Sequence, residues 1–351
     1  MYDYLIVGLG LAGISFCEKL EREGKTFKVI SDDSQQSSLV AGGLYNPVIL
    51  KRFTMAWNAK DQMERALPFY KSLEQKLNVK LDHKIPVLRK FASVEEQNLW
   101  FEAADRPGLD HFLSTNILEN KNPSIEAPFG YGEVKYTGRI DTRVLLASYA
   151  SYLTQKNLLE KESFDFSCFK PSESNIFYKS IQAKKTIFAC GYGLKNNPYF
   201  SYLPLNGTKG ELLVIKAKEY KERNIIKSSV FTVPLTEGLY LVGATYKWKD
   251  KTNIPTADAK TELLEKLKTF LKCDFEVVDH MAGIRPTVTD RRPLIGQHPK
   301  HENLYVLNGF GSRGVLIAPY ASAQLYNAIE NGTELDAEIN IHRFTKKHYS
   351  S

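Results

Sequence analysis

The sequence predicts an α/β chain with added α+β elements, divided into two domains, and three observations carry that reading. The apolar run Tyr4-Leu5-Ile6-Val7 passes directly into Gly8, Gly10 and Gly13, spaced G-x-G-x-x-G. A helical stretch and a second apolar run follow, completing a strand-helix-strand unit within the ~30 residues such a unit needs. Later, short alternating or aromatic segments at 79–92, 129–137, 210–215, 230–234 and 239–243 have the pattern of strands outside that unit. The length of 351 residues agrees with two domains, because a single core seldom grows past ~250–300 residues.

The opening unit has the physics of a dinucleotide site. Gly8 permits a tight turn, Gly10 lets a pyrophosphate approach the backbone, and Gly13 lets the helix press on the strand. The unpaired N–H groups at the helix start favour an anion there. Residues 11–23 read as that helix, with Gly24 as its stop, and 26–30 as the second strand. A ribose hydroxyl is expected to bind just beyond, at Asp32 or at Ser31 in its place. The unit implies a flavin or a nicotinamide dinucleotide.

The small-residue loop 41–47 follows, where Gly42, Gly43 and Leu44 bring backbone close to a cofactor. Residues 61–77 read as a helix kinked or restarted at Pro68. Asp141 or Thr142 caps a helix over 143–158. Strands are expected at 164–167, 175–178 and 186–189, the last ending at Ala189 and Gly191, where backbone again meets a ligand. An amphipathic helix spans 258–271, a strand 304–308, and a final helix 319–331.

Composition narrows the function. The charged residues are mixed in sign, no run approaches the ~18 apolar residues of a membrane span, and no signal segment precedes the first strand. A cytoplasmic protein with no membrane partner is expected. The four cysteines form no C-x-x-C pair and the seven histidines no ligand spacing, so no metal is expected. The net charge of +7 allows a polyanionic partner without requiring one. Its candidate contacts are Lys247, Lys249, Lys251, Lys346 and Lys347.

The opening triplet, Phe188-Ala189-Cys190-Gly191, Gly243-Ala244-Thr245, Gly283-Ile284-Arg285-Pro286-Thr287 and the segment 309–319 together resemble the D-amino-acid oxidase/glycine oxidase superfamily. The resemblance implies a Rossmann-like FAD-binding domain assembled from 1–50, 138–205 and 281–351. It also implies a mostly antiparallel substrate domain from 51–137 and 206–280. It selects FAD, and it implies an enzyme: an amine or amino-acid oxidase or dehydrogenase that passes hydride from the carbon beside an amine to flavin N5, after which the imine is hydrolysed.

By the same resemblance Arg285 pairs with the substrate carboxylate; the alternative is a structural ion pair with Asp290 or another carboxylate. Phe231 stands where relatives often present a tyrosine, and Tyr246 is the candidate to replace the lost hydroxyl, the alternative being an aromatic that only packs. The turn with Gly311, Ser312, Arg313, Gly314 and Val315 aims N–H groups and a helix dipole at the flavin, with Arg313 either adding charge there or facing the nucleotide. Because 296–319 holds no cysteine, the FAD is expected to be non-covalent.

The Gly-Ser-Arg-Gly turn and the loop at 43–47 look more like the FAD domain of the bifunctional enzyme that makes 5-methylaminomethyl-2-thiouridine in tRNA. Two substrates therefore remain open: a small amine or amino acid, or tRNA bearing carboxymethylaminomethyl-uridine. A non-catalytic flavin-binding protein is the reading from another class. The sequence marks neither the electron acceptor nor the oligomeric state.

Overall fold

A computed structural model describes residues 1–236 and 238–345; Lys346 and Lys347 lie outside them. Two eight-stranded sheets organise the chain. In the first, the parallel strands Leu159–Lys161, Phe27–Ser31, Tyr2–Val7 and Ile181–Phe188 lie side by side in that order. The near half of Ile181–Phe188 pairs with the hairpin of Phe169–Pro171 and Ile176–Tyr178. Its far half pairs in parallel with His301–Asn308, which carries Leu294–His298 on its outer side.

Register fixes where a ligand must sit. Val7 pairs with both Ile30 and Phe188, so three strands end at one level and their following loops converge. Crevices outside the carboxyl ends of parallel strands are the usual ligand sites of such sheets.

The second sheet runs Glu276–Arg285, Thr208–Lys216, Leu239–Gly243, Phe231–Pro234, Ile225–Lys227, Val87–Lys90, Tyr131–Val134 and Leu113–Leu118. Its pairings are antiparallel except between Ile225–Lys227 and Val87–Lys90. One face is apolar through Leu213, Ile215, Tyr240 and Val242 and packs on Leu263 and Leu267 of the helix Ala257–Lys268. The strand Glu276–Arg285 runs through the expected boundary at 281, so 281–285 group with this sheet: a continuous ladder to Thr208–Lys216 leaves no break there.

Several local expectations change. Residues 164–167 are not a strand; Asp165 accepts from Ser167 N at 2.9 Å and starts the 3₁₀ turn Phe166–Cys168. The helix around Pro68 does not restart, running unbroken over Ala59–Leu77. Asp141 is the cap of Thr142–Gln155, accepting from Val144 N at 3.1 Å. Buried Glu18 takes both Lys76 and the Tyr149 hydroxyl, tying the helix Leu11–Arg22 to Ala59–Leu77 and Thr142–Gln155. No helix among the described residues is long and apolar enough to cross a membrane.

The last long helix is Gly314–Asn331; it begins where the reading of the glycine-rich turn puts a helix dipole, near Gly314 or Val315, and five residues before the start at 319 that periodicity indicates. Pro319 hides that beginning, since a proline looks like a first-turn residue. Having no N–H, Pro319 cannot bond the Val315 carbonyl four residues back. The buried Tyr70 hydroxyl supplies the donor, at 2.8 Å, and burial pushes its pKa up so that it keeps its proton. Tyr70→Phe is expected to cost about 1–3 kcal/mol through the carbonyl left unmet, read by urea unfolding. A loss below about 0.5 kcal/mol, the range of an inconsequential substitution, would mean the carbonyl finds another partner.

Candidate functional site

The converging loops and the other face of the second sheet line a cavity of 1360 Å³. At one end lie Gly8, Gly10, Ser31, Asp32, Ala189 and Gly191; at the other, Gly42, Gly43, Leu44, Phe231, Arg285, Gly311, Ser312, Gly314 and Val315. Of the candidate cofactor-binding and catalytic residues, Gly13, Tyr246 and Arg313 do not line it.

The first end fits a dinucleotide. Gly8 has φ +101°, and a Cβ there would stand 2.7 Å from the Ala189 carbonyl oxygen. Gly13 is needed for contact inside the fold, since a Cβ would overlap the Gly8 carbonyl. Gly10 precedes the helix Leu11–Arg22 with no side-chain cap of its own; Leu11 N donates to Ser38 Oγ at 3.3 Å, and the remaining first-turn N–H groups are left to meet an anion. Ser31 and Asp32 divide their tasks. The Ser31 hydroxyl accepts from Leu9 N at 3.1 Å and so braces the turn. The Asp32 carboxylate receives Ser34 Oγ at 2.6 Å and Ser163 Oγ at 2.5 Å. Burial raises its pKa, but these hydrogen bonds prevail and hold it below its ordinary value. Ser163 and the neighbouring 161–166 were not legible as site residues, because only the pairing of Leu159–Lys161 with Phe27–Ser31 brings them here.

The second end is built by strand alternation. Gly210 and Leu212 from one strand and Gly283 and Arg285 from its neighbour point the same way, with Phe231 paired across to Gly243. The Arg285 guanidinium lies directly over Gly210, where any Cβ would overlap it. Its Nη1 donates to the Thr245 carbonyl at 3.2 Å, and burial lowers its pKa. No carboxylate among the described residues pairs with it. Asp290 is bound instead by Arg343, at 2.9 Å from Nε, which removes the structural ion pair as an explanation of Arg285.

Tyr246 is not a cavity residue. Its ring packs beside the Arg285 and Arg291 guanidinium groups, 5.3 and 5.6 Å from the ring centroid, and its hydroxyl accepts from Arg291. Burial raises its pKa while hydrogen bonds, Arg291 included, lower it further. The hydroxyl is thus committed outside the cavity. Arg313 lies just before Gly314–Asn331, but its side chain turns away to donate from Nη2 to the Asn46 carbonyl at 2.7 Å; it faces neither the nucleotide end nor the large cavity. The candidate polyanion contacts are also engaged in part: Lys247 pairs with Glu262 at 2.5 Å, and Lys251 donates to the Asn206 and Gly207 carbonyls at 2.7 Å.

A family model described as "DAO: FAD dependent oxidoreductase" matches residues 3–326. Glycine oxidase of Pseudomonas putida is 33% identical over 38% of this chain and 37% of its own length. Glycine oxidase of Bacillus subtilis is 23% identical over 94% of this chain and 93% of its own length. The tRNA 5-methylaminomethyl-2-thiouridine biosynthesis bifunctional protein MnmC of Nitrosospira multiformis is 27% identical over 46% of this chain, which matches only 28% of that protein. Among solved structures, glycine oxidase from Bacillus cereus superposes with TM-score 0.77 at 20% identity, covering 95% of this chain and 96% of that one. Iminodiacetate oxidase from Chelativorans sp. does so with TM-score 0.76 at 18% identity, covering 97% and 98%.

FAD is the cofactor these findings support, and the cavity's glycine cradle and open helix start fit it. Gly8→Ala adds strain of about 1–3 kcal/mol at the positive φ and is expected to weaken FAD binding by about tenfold or more. Flavin titration of the apoprotein reads this directly. Unchanged affinity would mean the turn does not approach the cofactor.

Proposed function

This chain belongs to the DAO family of FAD dependent oxidoreductases, and from that premise we propose that it oxidises the carbon–nitrogen bond of an amino acid or an N-substituted glycine. The observation that carries the proposal is the guanidinium of Arg285, buried in the cavity without a carboxylate partner among the described residues. A planar fork of this kind holds both oxygens of a carboxylate and so fixes the adjacent carbon. Thr245 and Gly210 orient the fork, the first by its carbonyl and the second by the room it leaves.

FAD, when bound, supplies the two-electron acceptor for the substrate carbon. The chain's part is placement. Gly8, Gly10 and the helix start would receive the pyrophosphate, and Asp32 would accept from a ribose hydroxyl while Ser31 holds the turn. Gly42, Gly43 and Leu44 face the cofactor from one side. The Gly311 N–H is taken by the Pro286 carbonyl at 3.0 Å, so Ser312 and the helix N-terminus at Gly314 and Val315 would supply the donors and the positive dipole end on this side of the cavity. Around Arg285, the residues Gly210, Leu212, Phe231, Ala244, Gly283 and Pro286 provide no acid or base. That supports oxidation of a neutral amine with no protein base, and the apolar walls exclude water from the reacting carbon. Binding is non-covalent in this reading: Cys190 lies at the nucleotide end, and burial pushes its thiol up to about 12, so it stays protonated. Acid precipitation is expected to leave the flavin in the supernatant; flavin retained in the pellet would refute this.

A second reading, oxidation of carboxymethylaminomethyl-uridine in tRNA, is favoured by the likeness to the MnmC proteins. Its substrate also presents a glycine-derived carboxylate to Arg285. Anaerobic bleaching of the bound flavin separates the readings. Glycine, sarcosine or a D-amino acid is expected to bleach it; bleaching by modified tRNA alone would establish the second reading, and bleaching by neither would leave a flavin-binding protein without turnover. Arg285→Met is expected to lower kcat/KM by the equivalent of about 2–5 kcal/mol with FAD retained. Unchanged turnover would remove Arg285 from the site.

A further inference from the structure

A second cavity of 270 Å³ adjoins the first, and Leu44, Phe231 and Ser312 line both. Most of its other walls are aliphatic: Val48, Leu50, Val87, Ile225 and Leu316. Two cations open into it, Lys227 and Arg313. Lys227 ends the strand Ile225–Lys227 and pairs in register with Phe231, so both side chains leave the sheet on one face, with the ammonium 5.6 Å from the Phe231 ring centroid.

Among the described residues neither cation has an anion. The nearest acid by register would come through Arg89, which pairs with Lys227 across the sheet. Arg89 already occupies Glu96, at 2.6 Å. Among the described residues Lys227 has no hydrogen-bond or ion-pair partner. Arg313 satisfies one nitrogen on the Asn46 carbonyl, while its Nε is buried with no partner. Burial, with Arg89 and Lys266 nearby, pushes the Lys227 ammonium down to about 8, and burial alone brings Arg313 to about 10. Two cations held in an apolar pocket without a counter-ion cost stability that an arriving anion restores.

We propose that Lys227 and Arg313 form a subsite for a second carboxylate, so that the substrate is an amine carrying one carboxylate for Arg285 and another, on a short arm, for this pocket. The inference rests on the reading of Arg285 as the first carboxylate clamp. The volume is that of about nine waters at ~30 Å³ each, which suits the end of a short arm. A nucleic acid phosphate would need room for chain on both sides, whereas these walls are aliphatic.

The test compares N-(2-carboxyethyl)glycine with its neutral isostere N-(2-carbamoylethyl)glycine as reductants of the bound flavin under anaerobic conditions. The acid is expected to be favoured on the order of 10- to 100-fold in kcat/KM, the range of a charge-assisted contact. In Lys227→Met that ratio is expected to fall toward unity, and in Lys227→Arg to persist. Equal use of acid and amide by the unaltered protein, or a ratio unchanged in Lys227→Met, would overturn the proposal. A binding arm separates this from failure of the amine reading: glutarate and butyrate are titrated against the holoenzyme by the shift of its visible flavin band. Tighter binding of glutarate that depends on Lys227, with no amine oxidised, would leave the subsite standing and remove the substrate reaction. Amine oxidation without acid preference, and glutarate no tighter than butyrate, would do the reverse.

Discussion

A half-buried guanidinium with no counter-ion among the described residues is the constraint around which this molecule is arranged. Arg285 keeps its place because the neighbouring strand offers Gly210 rather than a side chain, and because the Thr245 carbonyl takes one of its donors. The potential internal competitor, Asp290, is diverted to Arg343. Tyr246 and Arg291 adjoin it: the phenol ring packs against the guanidinium groups of both Arg285 and Arg291, and its hydroxyl is bound to the second. Such a cation is costly unless it meets an anion, and the cavity is the place from which one can come.

The two sheets make that cavity for different reasons. The parallel sheet contributes loops, because Val7, Ile30 and Phe188 end at one level and the chain must turn there three times. The antiparallel sheet contributes a face, because alternation along Thr208–Lys216 and Glu276–Arg285 turns every second residue inward. The helix Gly314–Asn331 closes the junction between them. Its first turn survives the proline at 319 only because a hydroxyl from the helix Ala59–Leu77 replaces the missing backbone donor.

The features legible in sequence were those in which residue type reports backbone geometry or a local motif. Gly8 and Gly13 are demanded by contacts no other residue permits, and Arg285 stands within a contiguous motif that carries its own context. What could not be read depends on long-range register. Ser163 reaches Asp32 across 131 residues through a strand pairing that no local pattern encodes. Lys227 is a single cation after two isoleucines, and its isolation from carboxylates exists only once Val87–Lys90 has paired beside it and Glu96 has been taken by Arg89. The hydroxyl of Tyr246 and the side chain of Arg313 were misplaced for the same reason, since each is claimed by a partner distant in sequence, Arg291 and the Asn46 carbonyl.

A substrate carboxylate is therefore the missing partner of Arg285, and the charge on that carboxylate is the quantity to vary. The decisive measurement is the anaerobic rate of flavin reduction by sarcosine beside sarcosine amide, which differ at that group alone. The account requires the amide to be slower on the order of 10- to 100-fold or more in kcat/KM, the range of a hydrogen-bonded ion contact. Equal rates for acid and amide would contradict it, because Arg285 would then have no part in placing the substrate.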